Sequence, residues 1–187
     1  KTGVDVDSVI DGLSLATDRL ISPKYLRGGM GDGGGCHPRD NIAMSWLARE
    51  LDLSYDFFDV LMRGREDQTT WLADLLMETV TVSGLAPFML GEAFKGETNL
   101  TVGSPSILMQ TILFDKYFGQ LYGTPVPIHD PHTNDVEMPT DARVFFIGTM
   151  HPEFQDYSYP KGSIIIDPWR YIPDMDGVTV HRLGEFK

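Results

Sequence analysis

The sequence of 187 residues has a single cysteine, few basic residues and no long apolar segment. The one cysteine, Cys36, excludes an intrachain disulfide and is typical of a reducing, cytosolic environment. Lysine and arginine number 15 against 27 aspartates and glutamates, so the formal net charge is −12. Such an acidic chain is a poor partner for nucleic acid or an anionic membrane surface. Since no apolar run has the length of a membrane-spanning helix, we expect a cytoplasmic protein without a membrane partner.

A run of glycines precedes the cysteine. Residues 27–35 contain six glycines, and glycine lets the backbone take positive φ angles and approach a ligand closely. Because the run offers no side chains to build a core, we expect it to have no packing role. Pro38, which is favoured in the first turn of a helix, comes shortly after Cys36. The pattern predicts a ligand-facing loop that leads into a helix.

The position of Cys36 favours a reactive thiol. Apolar residues recur at helical spacing after it, at Ile42, Ala43, Trp46, Leu47 and Leu51. Free N–H groups and the helix dipole stabilise a thiolate at a helix start, and Asp40 lies one turn further on the same side. A lone cysteine is more often a small buried apolar residue without chemistry. The glycines before it and the helix after it favour the functional interpretation.

Helical spacing of apolar residues also predicts the organisation of the first part of the chain. Helices are expected at residues 4–15, 38–51 and 55–79, and residues 17–35 are expected to form a loop. The first helix has no recognisable capping residue before it. The charged segment 63–67 has the composition of a solvated helix face.

After Gly84 the pattern changes to short apolar strands. They are predicted at residues 86–91, 126–128, 143–148, 163–167 and 178–181, with a helix at residues 105–121. Strands that alternate with helical stretches favour an α/β fold with a Rossmann-like, doubly wound parallel sheet. We therefore expect a helical region at residues 1–83 and an α/β domain at residues 84–187.

Ligands of a doubly wound sheet bind beyond the C-terminal ends of its strands. In this chain that edge is expected to hold residues 91–95, 129–130, 149–151 and 167–170.

Four segments carry a resemblance to a known family. They are Thr17-Asp18-Arg19-Leu20-Ile21, Gly33-Gly34-Gly35-Cys36-His37-Pro38-Arg39-Asp40, Leu90-Gly91-Glu92-Ala93-Phe94-Lys95 and Ile128-His129-Asp130-Pro131. In this order they resemble the Arg-Ile-Gly loop, the Gly-Gly-x-Cys-x-Pro-Lys-Asp nucleophile motif, the Leu-Gly-x-Ala-Phe-Lys segment and the Tyr-Asp-Pro strand end of the nucleotide-sugar dehydrogenases, the UDP-glucose/GDP-mannose dehydrogenase family. Residues 149–154 and 167–170 give weaker support.

The resemblance implies oxidation of a sugar C6 alcohol to a carboxylate through a cysteine thiohemiacetal and thioester, with NAD as the hydride acceptor. It implies a nucleotide-sugar substrate and a homodimer built by the helical region, with the nucleotide bound by the α/β domain. The residues that match the family's catalytic positions are Cys36 and Asp40. Those that match its substrate-binding positions are Arg19, Tyr25, Leu26, Gly33, Gly34, Lys95 and Arg170. Of these, Arg19 would serve the neighbouring subunit, while Lys95 and Arg170 would hold the diphosphate.

Some features depart from the family pattern. Val102 stands where the family has an arginine, and the glycine run is no dinucleotide fingerprint because it follows a loop and not a strand. The family's NAD domain, its catalytic lysine and a partner asparagine would lie before Lys1. The resemblance therefore implies a fragment, a truncated product or one half of a split enzyme, with NAD bound mainly by a domain outside this sequence.

Three other interpretations are weaker. A nucleotide-sugar-binding and dimerisation module without turnover is the main alternative to the enzyme. A thiol hydrolase is disfavoured because His37 is poorly placed to act as a base on Cys36. His129, Asp130, His132 and Asp135 could suggest a metal, but this spacing is more typical of a solvated loop. We expect no metal site.

Overall fold

A computed structural model describes residues 3–31, 33–119 and 123–185. The helices are α1 (Val6–Ser14), α2 (His37–Glu50), α3 (Phe57–Ser83), α4 (Pro105–Leu113) and α5 (Pro152–Asp156). The strands are β1 (Pro87–Leu90), β2 (Ile128–His129), β3 (Val144–Ile147), β4 (Ile164–Asp167) and β5 (Thr179–Arg182). A 3₁₀ turn covers Pro23–Leu26, and a π-helical turn, Phe114–Phe118, extends α4.

The five strands form one fully parallel sheet in the order β2-β1-β3-β4-β5. The chain goes from β1 outward to β2 and then returns past β1 to β3, so the winding direction changes between β1 and β3. This is the topological switch point at which doubly wound sheets bind ligands. The predicted α/β class is confirmed. Because all strands are parallel, their C-terminal ends lie along one edge, as the sequence predicts.

Two apolar layers cover the sheet. On one face, residues of α3 and α4 pack against the strands, with Leu72, Leu76 and Met109 buried beside Met89 and Phe146. On the other face, the short helix α5 and the segments around it enclose a second set of buried residues. Since α3 shares a core with the sheet, the division at residues 83/84 lies between elements that pack together. The two-domain organisation stays a prediction.

The helix ends follow from local capping. Asp5 accepts a hydrogen bond from the Ser8 N–H at 2.8 Å and caps α1, so the expectation of an uncapped helix was wrong. Asp56 caps α3 in the same way, and Gly84, in the left-handed region at φ 70°, ends it. Helix α3 thus extends to Ser83, beyond the predicted end at residue 79. The last two residues of the helix predicted at 105–121, residues 120 and 121, lie outside the described part of the chain.

None of the described helices combines the length and apolar character needed to cross a membrane.

Candidate functional site

Cys36 lies where the sequence places it, directly before the first residue of α2. Its side chain is exposed and makes no capping hydrogen bond to the helix. Its carbonyl oxygen accepts the N–H of Asp40 at 2.8 Å, so the first helical turn is formed at the cysteine itself. Pro38 occupies the first turn, where its missing N–H costs no hydrogen bond. The thiol is therefore open to a reactant and lies at the positive end of the helix dipole.

Arg39 joins Cys36 and Asp40 into one cluster, and sequence reasoning did not assign it a role. Its Nε donates a hydrogen bond to Asp40 Oδ1 at 2.8 Å. This hydrogen bond holds the pKa of Asp40 below its usual value and raises the pKa of Arg39, which the charge of nearby Cys36 raises further. The signal was present in the sequence, because Arg39 occupies the lysine position of the family's nucleophile motif.

The glycine run packs tightly against the sheet edge, which contradicts the expectation that it has no packing role. A Cβ on Gly29 would lie 2.2 Å from Cε3 of the Trp169 ring, so only glycine fits there. Met30 is 7% exposed and belongs to the core on the α3 face of the sheet. The glycines allow the loop to lie close to the protein's own aromatic rings.

The loop before Cys36 also contacts the segment after β1. Cβ atoms on Gly33 and Gly34 would lie 3.4 Å and 3.1 Å from atoms of Phe94, and Gly34 has a φ of 86°. The Gly34 N–H donates to the carbonyl oxygen of Gly103 at 3.2 Å. A Cβ on Gly35 would lie 3.8 Å from Cγ1 of Val102, the departure from the family pattern. The structure therefore brings the nucleophile motif and the Leu-Gly-x-Ala-Phe-Lys motif together.

The environment of Arg65 differs from the one that the sequence predicts. Its side chain is half-buried and donates a hydrogen bond to the carbonyl oxygen of Gly103 at 3.3 Å, whereas residues 63–67 were expected to be a solvated face. Arg63 does follow that expectation, since it is exposed and pairs with Asp59 one turn away.

A pocket of about 400 Å³ lies beside the start of α2 and is lined by Gly31, His37, Asn41, Leu61, Met62, Arg65 and Gln68.

Asp130 organises the sheet edge at the end of β2. Its Oδ2 accepts the N–H groups of Glu92 and Ala93 at 2.7 and 2.8 Å and lies 3.1 Å from Nε2 of His151. Its Oδ1 accepts the N–H of His132 at 2.9 Å. Burial alone would raise the pKa of Asp130, but these hydrogen bonds outweigh it and hold the pKa far below the usual value. A buried carboxylate thus joins the exits of β1, β2 and β3.

The residues that could together hold a metal are not the four considered in the sequence, which were His129, Asp130, His132 and Asp135. His132, His151 and Glu153 have ligand atoms within 4.8 Å of one another. However, Nδ1 of His151 already accepts the N–H of Glu97 at 3.2 Å, while its Nε2 faces Asp130. A neutral imidazole has one lone pair, so His151 has none left for a metal.

Arg170 has a different environment from the one its predicted role requires. Its side chain is 7% exposed, and its N–H groups contact Asp7 and the carbonyl oxygens of Gly28, Pro168 and Leu183. An open pocket of about 440 Å³ beside it is lined by Asp7, Lys24, Arg27, Gly28, Met150, Trp169, Arg170 and Tyr171. Binding of a diphosphate by Arg170 stays a prediction, and it would require Asp7 to move.

The other predicted substrate residues are dispersed. Lys95 is exposed, with Nζ 5.5 Å from the centroid of the Phe94 ring. Arg19 is exposed in the turn after α1, and Leu26 is half-buried at the end of the 3₁₀ turn. The side chain of Tyr25 lies outside what the structure describes. The roles of these residues stay predictions.

The residues present do not fit the dinucleotide of NAD. A dinucleotide-binding turn joins a strand directly to a helix and places its glycines under the pyrophosphate. Here the glycine run follows the 3₁₀ turn, and Gly29 and Gly34 lie against Trp169 and Phe94. The described residues therefore offer no cradle for this cofactor.

Comparison with known proteins agrees with the motifs and the fold. The model of the UDP-glucose/GDP-mannose dehydrogenase family, central domain, matches residues 1–64. The chain is 30% identical over 185 residues to UDP-glucose 6-dehydrogenase TuaD of Bacillus subtilis (strain 168), a match that covers 98% of this chain and 38% of the relative. It is 31% identical over 198 residues to UDP-glucose 6-dehydrogenase of Rattus norvegicus, covering 97% of this chain and again 38% of the relative.

A solved structure shows the same fold. The UDP-glucose dehydrogenase from the hyperthermophilic archaeon Pyrobaculum islandicum matches with a TM-score of 0.77 at 22% identity, covering 99% of this chain and 44% of that one. The chain thus spans about two fifths of the length of these relatives. The family model, the relatives that match almost the whole chain and the shared parallel sheet together show that the chain belongs to the UDP-glucose/GDP-mannose dehydrogenase family.

Proposed function

We propose that this chain carries the catalytic cysteine and the nucleotide-sugar-binding sheet of an NAD-dependent nucleotide-sugar 6-dehydrogenase. The observation that carries the proposal is the position of Cys36, exposed at the start of α2 beside Arg39 and Asp40, in a chain of this family. The reaction would oxidise the C6 alcohol of the sugar to a carboxylate in two steps.

In the proposed reaction the Cys36 thiolate adds to the carbonyl carbon of the aldehyde that the first oxidation forms. The thiohemiacetal becomes a thioester in the second oxidation, and water hydrolyses the thioester to the carboxylate. A bound NAD would supply the hydride acceptor for each oxidation, and none of the described residues forms a cradle that would hold it. The Cys36 thiol would lose its proton to solvent, and Asp40, kept ionised by Arg39, would accept a hydrogen bond from the attacking water and orient it.

The nucleotide part of the substrate would lie at the C-terminal edge of the sheet. Lys95 is exposed there after β1, and Arg170 follows β4. A diphosphate carries concentrated negative charge and is bound best by such cationic side chains. We propose further that the protein is a homodimer in which Arg19 serves the substrate site of the neighbouring subunit.

The covalent role of Cys36 can be tested on the isolated chain without NAD. Iodoacetamide alkylates a free thiol, and mass spectrometry follows the rate. The 6-aldehyde of UDP-glucose should slow alkylation at least about tenfold, because addition to the aldehyde removes the thiolate. UDP-glucose itself cannot form this bond and should protect much less. The Cys36→Ser variant, which should take up no label, identifies the site.

Equal protection by the aldehyde and by UDP-glucose would contradict the covalent role. That outcome would favour the second candidate function, a nucleotide-sugar-binding and dimerisation module without turnover. This candidate is supported by the exposed apolar side chains on α2 and α3, among them Trp46 and Trp71, which are suited to a dimer interface. No protection by either compound would contradict both candidates.

A further inference from the structure

The guanidinium of Arg170 is held in place by the backbone on one side. Nη1 donates to the carbonyl oxygens of Pro168 and Leu183 at 2.6 and 3.2 Å, and Nη2 donates to the carbonyl oxygen of Gly28 at 3.2 Å. These carbonyls come from three separate segments of the chain. They fix the orientation of the group without neutralising its charge.

The remaining edge of the guanidinium faces a single carboxylate. Nε and Nη2 of Arg170 lie 2.9 and 3.1 Å from Oδ2 and Oδ1 of Asp7, which is the two-pronged geometry that arginine uses for carboxylates and phosphates. Three carbonyl contacts and two carboxylate contacts account for all five N–H groups. Asp7 thus takes the edge of Arg170 that an oxyanion ligand would need.

Asp7 is a partner that can be displaced. It lies on the nine-residue helix α1, in which Ile10 is the one buried residue. Its side chain is 36% exposed, in contrast to the 7% of Arg170. Helix α1 is further tied to the rest of the chain by the Val6 N–H, which donates to the carbonyl oxygen of Gly184 at 2.9 Å. Displacement of α1 together with Asp7 would cost this hydrogen bond and the burial of Ile10.

The pocket around this pair has the chemistry of an anion site. Lys24 and Arg27 line it together with Arg170, so three cations meet in a chain whose net charge is −12. Arg27 is exposed and lies 3.9 Å from Asp7 and 3.5 Å from Asp11. Two carboxylates of α1 therefore face the cations of the pocket.

We infer that the pocket lined by Lys24, Arg27 and Arg170 is a diphosphate site that Asp7 closes in the structure described here, so that ligand entry and docking of α1 compete. The inference rests on the proposed function, because a nucleotide sugar supplies the diphosphate. The docked carboxylate of Asp7 stands in for one phosphate of the ligand. Its release upon binding would regulate access to the sheet edge.

Inorganic pyrophosphate is the probe for this competition, and calorimetry on the full chain measures its affinity. The Asp7→Asn variant should bind pyrophosphate at least about tenfold more tightly than the wild type, because the competing charge is gone. Asp11→Asn is the matched control: it removes the other α1 carboxylate that faces the pocket, beside the exposed Arg27, but leaves the Asp7–Arg170 pair intact. Its affinity should change by less than about threefold. Equal effects of the two substitutions would overturn the inference, as would the absence of pyrophosphate binding.

Two further measurements separate competition from a merely structural ion pair. Adding Arg170→Lys to Asp7→Asn should abolish the gain in affinity, because lysine lacks the two-pronged geometry. Pyrophosphate should also speed hydrogen exchange at the amides of α1, and slower exchange there would contradict the displacement of Asp7. UDP-glucose is the second ligand in each experiment. Competition by pyrophosphate without binding of UDP-glucose would refute the proposed function while supporting this site.

Discussion

At the scale of single residues, the buried carboxylate of Asp130 is held by hydrogen bonds from several segments of the chain. It accepts three backbone N–H groups and contacts the imidazole of His151 while being fully buried. The pKa of Asp130 is lower in the folded chain than in the unfolded one. Its ionised form therefore stabilises the fold above the unfolded pKa of about 4, and this contribution is lost as the pH falls toward the folded value.

We predict that Asp130→Asn lowers the free energy of unfolding by about 3 kcal/mol at pH 7, because it removes a buried charged acceptor of three backbone N–H groups and of the His151 imidazole. The difference from the wild type should stay constant between about pH 5 and 8 and shrink below about pH 4. Urea unfolding across this range measures it. Asp141→Asn is the control, since the Asp141 side chain is 64% exposed, and should have little effect. A difference that does not change at acid pH would contradict this account of Asp130.

At the scale of elements, the glycine run depends on close packing against the sheet edge. Gly29→Ala should lower the free energy of unfolding by about 1–3 kcal/mol, because the new methyl group overlaps the Trp169 ring. Gly28→Ala is a matched control one residue earlier, where the new Cβ would lie 3.8 Å from the Arg170 side chain, an ordinary contact distance. Urea unfolding compares the two variants. If both lose the same stability, backbone freedom rather than the contact with Trp169 determines the need for glycine.

At the scale of the whole molecule, the helices before the sheet expose an unusual number of apolar side chains. On α2, on α3 and in the segment between them these are Ile42, Met44, Trp46, Leu47, Leu51, Leu53, Tyr55, Phe57, Val60, Leu61, Trp71 and Val82. Large exposed apolar patches mark interaction sites, and soluble oligomers are most often two-fold dimers. This surface supports the proposed homodimer.

We predict that the chain is a dimer at about 100 μM and that combined Trp46→Glu and Trp71→Glu substitutions make it monomeric, since tryptophans dominate the energy of interfaces. Light scattering coupled to gel filtration measures the mass. Val136→Glu, which places a charge at an exposed apolar residue between β2 and β3, should leave the dimer intact. A monomeric wild type would contradict the proposal, and so would dissociation by all of these substitutions.

The sequence by itself determined where the longer helices and the strands lie, because the spacing of apolar residues and the capping residues act within a few positions along the chain. For the same reason it determined that Cys36 precedes a helix and that the strand ends carry polar residues. It did not predict the short helix α5. Its errors there were local ones, such as the missed cap at Asp5 and the early end of α3. The order of the motifs also indicated the family.

Only the tertiary structure decided which distant segments meet. The contact of Gly29 with Trp169, the pairing of Asp130 with His151 and the closure of Arg170 by Asp7 each join residues far apart in sequence. No periodicity predicts such contacts, because they depend on how the glycine run and α1 pack on the edge of the sheet. Whether an arginine at that edge faces a ligand or a carboxylate of its own chain is therefore a property of the fold.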